Sequence, residues 1–341
     1  MNVNIFAYSD KGCQLAIKIS EIFDNVSCFA LQKFAEKYSI NPHKSTGEKV
    51  KELFDKSDLL VFVGACGIAV RAIAPLVKSK TSDPACIVID DCANFVIPIL
   101  SGHIGGANEF CKIIAEKTGA TPVISTATDV NEKFSVDTFA TKQNLFISSM
   151  SMAKNFSAEI LKGNLPICFC EEIKAKTSFS NGIFESDSGK IGAYIGYKKI
   201  KPFEKTLRLV PKILSVGIGC RKNIEKEKIE NLFFKTLNEN NIDINAIKSI
   251  ASIDIKSEEK GLLEFCEEQN FGIEFFSAKE LLSLKGEFTA SNFVKSITGV
   301  DNVCERSAVK IANSSNLIVK KTSLDGVTIA IASEEKEIYF E

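Results

Sequence analysis

Short apolar runs alternate along this chain with segments of helical spacing, and that alternation restricts the fold more than any other feature. The runs 3–8, 25–30, 58–63, 85–90, 95–100 and 121–125 read as strands. Segments 12–23, 48–54, 70–77 and 109–117 read as helices, the last closed by Gly119. Asp91-Cys92-Ala93-Asn94 reads as a turn joining two strands directly, since Asp and Asn stabilise turns through their own backbones. Strands alternating with helices predict an α/β sheet, largely parallel, with one hairpin.

The pattern weakens and then resumes. A helix over 151–161, strands over 166–170 and 192–197 and a polar loop over 178–187 are expected in the middle. From residue 209 the alternation returns. Strands are expected at 209–216, 247–253, 272–276 and 328–332, with a glycine loop at 217–221. Helices are expected at 224–237, 261–268, 278–284, 292–299 and 305–312. The predicted class is α/β. Two α/β domains with mostly parallel sheets, at 1–140 and 209–341, are joined by a smaller α/β or α+β middle region at 141–208. The length of 341 residues agrees, because a single core rarely grows past about 250 residues.

Composition excludes several classes. A net charge of −1 gives no electrostatic case for nucleic acid. No apolar stretch approaches the ~20 residues of a transmembrane helix, and no leader peptide is evident, so a cytoplasmic protein is expected. The eleven cysteines are odd in number and scattered through apolar runs, as in Cys28, Cys86, Cys111 and Cys266. Only Cys168 and Cys170 stand close together, on what reads as opposite faces of a strand. Reduced core thiols are expected, with no metal site.

Three glycine-bearing loops follow strands: Gly64 to Gly67 with Arg71 beyond it, Gly102 to Gly106, and Gly217 to Gly219 with Arg221 beyond it. Each loop offers backbone amides to an anion, and each arginine offers a bidentate clamp for a carboxylate. Equally, glycines serve tight turns and close helix packing. None is a nucleotide fingerprint. Lys222 stands where a dinucleotide motif needs its third glycine, and no Gly-Lys-Ser/Thr occurs. Ile99 likewise stands where a nucleophile elbow around Ser101 needs glycine.

His103, one of two histidines, lies in a polar glycine loop and suits proton transfer near neutral pH. His43 lies in a polar stretch and reads as a surface-loop residue. Ser101 reads as a ligand hydrogen bonder or a nucleophile. Asp129 faces a ligand or caps a helix. Asp83 and Asp90 read as turn formers. Asp254, Lys256, Glu258 and Glu305 are candidates for one cleft that spacing alone does not establish.

Taken together, these stretches resemble the cobalt-precorrin-5A hydrolase family of anaerobic cobalamin biosynthesis. The resemblance rests on Gly-Ile-Ala-Val-Arg at 67–71, Ala74-Pro75, Lys80 with Asp83-Pro84-Ala85, and Ser-Gly-His-Ile-Gly-Gly-Ala-Asn at 101–108. Thr-Ala-Thr-Asp-Val-Asn at 126–131 and Asp137 extend it. So do Gly-Ile-Gly-Cys-Arg at 217–221, residues 252–256, Gly261-Leu262, 276–278, Val303-Cys304-Glu305 with Ala308, Lys321-Thr322 and 328–330. Ser125 and Cys304 depart mildly from the family pattern, and the middle region carries little of it.

The resemblance implies that water opens the δ-lactone of cobalt-precorrin-5A and that acetaldehyde leaves, giving cobalt-precorrin-5B. It implies His103 as acid/base, Asp129 as its orienter or a second acid, and Ser101 beside them. Gly67, Arg71, Gly102, Gly105, Gly106, Asn108, Thr126 and Thr128 then contact substrate in the N-terminal part. Gly217, Gly219, Arg221 and Glu305 do so in the C-terminal part. No cofactor or metal of the protein's own is required, because cobalt arrives with the substrate. The partner is a cobalt-corrinoid small molecule, with no nucleic acid and no membrane. A homodimer and transient contact with neighbouring pathway enzymes are compatible with this reading. Two other readings share the same loops: a non-catalytic carrier of tetrapyrrole intermediates, and a nucleotide-dependent α/β enzyme.

Overall fold

The runs 59–63 and 85–89 carry no polar side chain, and such strands need cover on both faces. They become adjacent central strands of a seven-stranded sheet. The computed structural model describes residues 1–79, 82–126, 131 and 133–340. The chain divides into two units, Met1–Thr138 and Phe139–Glu341. The first unit contains β1 (Val3–Ala7), α1 (Asp10–Ser20), β2 (Val26–Leu31), α2 (Gln32–Tyr38), β3 (Asn41–His43), α3 (Thr46–Leu53) and β4 (Leu59–Val63). It continues with α4 (Cys66–Ile73), β5 (Ala85–Ile89), β6 (Phe95–Leu100), α5 (Ala107–Thr118) and β7 (Thr121–Pro122).

The strand order is β3-β2-β1-β4-β5-β6-β7. Strands β1 to β5 run parallel, β6 turns back against β5, and β7 runs parallel to β6. The α/β class and the single hairpin agree with expectation. Alternate side chains of β1, β4 and β5 feed two cores, one on each face. Ile5, Val61 and Ile87 meet α1 and α5 on one side, and Phe6, Phe62 and Val88 meet α3 and α4 on the other.

His43 corrects the sequence reading. It ends β3, is buried, sets its ring edge-on to Phe6 at 5.8 Å and hydrogen-bonds through Nε2 to Thr46 Oγ1 at 3.0 Å. Its polar neighbours Asn41, Lys44 and Ser45 disguised a buried position. Burial holds its pKa below the ordinary 6.5. The folded state therefore resists a proton that the unfolded chain accepts. Stability is full above about pH 6.5 and falls as the pH drops through that value. A His43→Asn variant should lose this part of the pH dependence in urea titrations between about pH 7 and pH 5. A wild-type stability flat across that window would contradict the assignment.

The helix α6 (Val136–Lys142) carries the chain into the second unit. Its elements are β8 (Leu145–Ile147), α7 (Met150–Ile160), β9 (Leu165–Phe169), β10 (Ile173–Ala175), β11 (Ile183–Glu185), β12 (Ile191–Ile195) and β13 (Lys205–Pro211). Then come β14 (Leu214–Cys220), α8 (Lys226–Glu239), β15 (Ile247–Ile253), α9 (Lys260–Glu268), β16 (Ile273–Phe276), α10 (Ala278–Leu282) and α11 (Asn292–Thr298). The last are α12 (Cys304–Ala312), β17 (Leu317–Leu324), β18 (Val327–Ser333) and β19 (Lys336–Ile338). One five-stranded sheet has the order β11-β9-β12-β13-β8, and a second has β16-β15-β14-β18-β17.

Two expectations change here. The run 209–216 is not one strand: Pro211 ends β13, and β14 begins in the other sheet. Residues 217–220 are then not a loop but the second half of β14, between β15 and β18. The polar stretch 178–187, read as loop, contains β11. The buried cysteines Cys13, Cys28, Cys86, Cys111, Cys266 and Cys304 are free thiols, as expected. No helix among the described residues is long and apolar enough to cross a membrane.

Candidate functional site

Reversal of β6 decides where the histidine loop lies. Cys86 pairs with Leu100 and Ile89 with Val96, so Ser101 emerges beside the start of β5. Its hydroxyl donates to the Asp83 carbonyl at 2.9 Å, tying the loop to the turn before β5. Asp83 itself accepts from the Lys78 and Ser79 amides, the turn role expected of it. Ser101 holds a left-handed backbone at φ 55°. A Cβ on Gly105 would stand 2.4 Å from Ser101 Cβ, and one on Gly102 would stand 2.7 Å from Asn108 Oδ1. These two glycines are therefore required by packing within the loop. Gly106 precedes α5 in a left-handed conformation, and the Ala107 and Asn108 amides donate back to the Ser101 and Gly102 carbonyls at 3.1 and 2.9 Å. The first amides of this helix are thus occupied by the loop itself rather than presented to an anion.

Asn108 is buried and donates through Nδ2 to Thr126 Oγ1 at 3.2 Å. Ser101, Gly102, His103, Gly105, Gly106, Asn108 and Thr126 are therefore one local assembly at the carboxyl ends of β6 and β7. His103 is half-buried within it. Thr128 and Asp129 lie outside the described residues, as does Lys80.

Gly67 and Arg71 lie elsewhere in the unit. They follow β4, whose last residue Val63 pairs with Ile89 at the far end of β5. The length of β5, roughly 15 Å, separates that edge from the histidine loop. Arg71 folds back along its own helix to donate to the Gly67 carbonyl at 3.0 Å. The sequence offered these loops as one constellation, and within this unit the antiparallel β6 splits it.

In the second unit a cleft of about 1490 Å³ opens at the carboxyl ends of β14 and β15. Gly219 lines it, and a Cβ there would meet Thr328 Oγ1 at 2.6 Å. Gly217 does not line it. It lies under α12, where a Cβ would fall 1.8 Å from the Cys304 carbonyl oxygen. Arg221 lies across the β17–β18 hairpin tip, its amide donating to the Gly326 carbonyl at 3.0 Å. Lys321 of β17 also faces the cleft. Among the described residues neither the Arg221 guanidinium nor the Lys321 ammonium has an ion-pair partner. Lys256, by contrast, is paired with Glu259 at 3.0 Å, and the other Glu259 oxygen accepts the Ile224 amide. Burial pushes the Cys220 thiol at the cleft wall up to about 11, so it is neutral near pH 7 and no ready nucleophile.

Of the four charged residues that the sequence grouped, Lys256 and Glu258 line this cleft. Glu305, offered as a substrate contact, is buried and fully engaged. Its carboxylate accepts from the Thr289 amide at 2.7 Å, Thr289 Oγ1 at 2.9 Å, Asn302 Nδ2 at 2.7 Å and the Lys321 amide at 2.8 Å. It braces the segment before α11 against β17 instead of facing the cleft. Sequence reasoning missed three exposed apolar side chains that line the cleft, Ile255, Phe293 and Ile297. Phe293 and Ile297 are spaced four apart on α11, a spacing that sequence alone cannot tell from a core stripe.

Both regions match known families. Residues 48–129 match the model described as Cobalamin synthesis G N-terminal, and residues 214–332 match Cobalamin synthesis G C-terminus. A probable cobalt-precorrin-5A hydrolase of Methanocaldococcus jannaschii is 30% identical over 285 residues, 80% of this chain and 85% of that one. The chain belongs to the cobalamin synthesis G family. A second member, the cobalt-precorrin-5A hydrolase of Salmonella typhimurium, is 29% identical over 342 residues, 97% of each chain. A crystal structure of a cobalamin biosynthesis protein G homolog from Sulfolobus solfataricus aligns with TM-score 0.41 and 25% identity, covering 98% of this chain and 97% of that one. The two family regions hold the histidine loop and the cleft respectively. The stretch between them is the one where the sequence carried least resemblance.

Proposed function

We infer that this chain hydrolyses cobalt-precorrin-5A in cobalamin biosynthesis. The observation that carries this is the match to the cobalamin synthesis G family at both ends, with relatives bearing that activity's name aligned over nearly the whole chain. Our reading of the chemistry is that water opens the δ-lactone to a carboxylate and an alcohol, and that the alcohol carbon then departs as acetaldehyde. Each step needs a proton moved, from the attacking water and from the alcohol oxygen as its carbon–carbon bond breaks. His103 is the group we assign to that work, with Asp129 as its orienter or a second acid. Arg221 meets substrate carboxylates. Cobalt enters as part of the substrate, so the reading calls for no resident metal or cofactor, and it goes with a cytoplasmic location.

Ser101 is assigned a scaffold role, because its hydroxyl is engaged with the Asp83 carbonyl. Ser101→Ala should cost about 1 kcal/mol of stability, read from the urea midpoint, and leave kcat within a factor of about three. A loss of about 10³-fold or more would return Ser101 to the list of nucleophiles. For the reaction itself, turnover in ¹⁸O-water should place label in the carboxylate released from the lactone, read by mass spectrometry of the corrinoid product. Complete conversion without label would exclude attack of water on the lactone carbonyl.

A further inference from the structure

We propose that the cleft of the second unit receives the substrate's macrocycle. Phe293 and Ile297 lie against its apolar face, and Arg221 and Lys321 meet its peripheral carboxylates. The identity of the occupant rests on the hydrolase reading, whereas the chemistry of the cleft stands on its own. Phe293 is 68% exposed and Ile297 62%, and Ile255 on another wall is 57% exposed. Large apolar side chains gathered at one concave surface mark a binding site rather than the scattered exposure of an ordinary surface. The helix that carries them is held from beneath. Val294 packs with Ile253, Leu281, Val300 and Val303, the Ser291 hydroxyl caps the Val294 amide, and Gly299 ends the helix. Phe293 and Ile297 are thus presented by a fixed helix on a face that no described core residue covers.

Size and charge narrow the occupant. At about 1490 Å³ the cleft exceeds the roughly 1,000 Å³ that serves drug-sized ligands. A broad, mostly apolar disc with carboxylates around its rim suits an apolar wall with unpaired cations beside it. Arg221 and Lys321 supply those cations, while the acids Glu259 and Glu264 in the lining are engaged by Lys256 and Lys260. Asp325 at the hairpin tip is the acid nearest in sequence to that mouth. It opposes a polycarboxylate.

Porphyrin fluorescence titrations on the full chain test this. The probes are uroporphyrin, with an acetate and a propionate on every ring, and coproporphyrin, which keeps only the propionates. The double variant Phe293→Ser, Ile297→Ser should weaken both by about tenfold or more. Arg221→Gln and Lys321→Gln should each weaken uroporphyrin about fivefold and coproporphyrin less. Asp325→Asn, whose asparagine tolerates the left-handed backbone at that tip, should tighten uroporphyrin. Circular dichroism should be unchanged in all, since the altered side chains are not part of the core. Failure of the wild-type chain to bind either porphyrin, or wild-type affinity for both in the double variant, overturns the proposal. The hydrolase reading fails separately. It is lost if the chain binds porphyrin in the cleft yet does not convert cobalt-precorrin-5A, and it survives without the cleft if the double variant turns over with unchanged KM.

Discussion

His103→Ala is expected to lower kcat for acetaldehyde release by about 10²- to 10⁴-fold, the usual worth of a positioned acid or base, with little change in KM. The loop does not depend on the imidazole for its shape. Ser101 is tied to Asp83, Gly102 and Gly105 admit close backbone contacts, and the Ala107 and Asn108 amides close the turn. Removing the ring therefore removes chemistry more than structure, and the urea midpoint should stay near that of the wild type. The split between kcat and KM separates two roles. A fall confined to kcat marks proton transfer. A rise in KM with kcat intact makes His103 an anchor for a substrate carboxylate. Unchanged kcat and KM removes it from the mechanism.

The second large effect is structural. Gly217→Ala should destabilise the second unit by about 3 kcal/mol or more, at or beyond the upper end for an overpacked core. Its Cβ would fall 1.8 Å from the Cys304 carbonyl oxygen and 2.6 Å from the Ala308 amide nitrogen. Both are backbone atoms of α12, so relief requires moving the helix off the central strand β14. Against a domain stability of roughly 5–15 kcal/mol this is a large share. Gly272→Ala is the control, because a Cβ there meets nothing within 4 Å, and it should shift the midpoint little. Equal midpoints for the two variants would refute the packing role of Gly217. Porphyrin affinity lost at Gly217→Ala with stability intact would return it to the binding residues.

Much of this was legible in the sequence because the parallel strands are covered on both faces. Runs such as 59–63 and 85–89 cannot sit at a surface, and the element following each is fixed by its helical spacing. Legibility failed where one residue sets direction or register. Nothing in Phe95–Leu100 alone says that it runs against its neighbour, yet that reversal moves the histidine loop to the opposite edge from Gly67 and Arg71. Pro211 divides an apolar run between two sheets. Asp325-Gly326, with both residues at positive φ, is a strong hairpin signal that would have revealed β17 before β18. At the candidate sites, residue type was a better guide than role. Glu305 and Gly217 were singled out, but the first braces a loop and the second admits a helix. The exposed pair on α11 escaped notice because core and cleft demand the same apolar spacing.

The central claim is a reaction, and its most direct test is incubation of the full chain with cobalt-precorrin-5A followed by quantitation of acetaldehyde. The account predicts acetaldehyde in stoichiometric yield with the corrinoid consumed, and its near-absence with His103→Ala. Tight binding of the corrinoid by the wild-type chain with no acetaldehyde formed would contradict it, and would leave a tetrapyrrole carrier in place of a hydrolase.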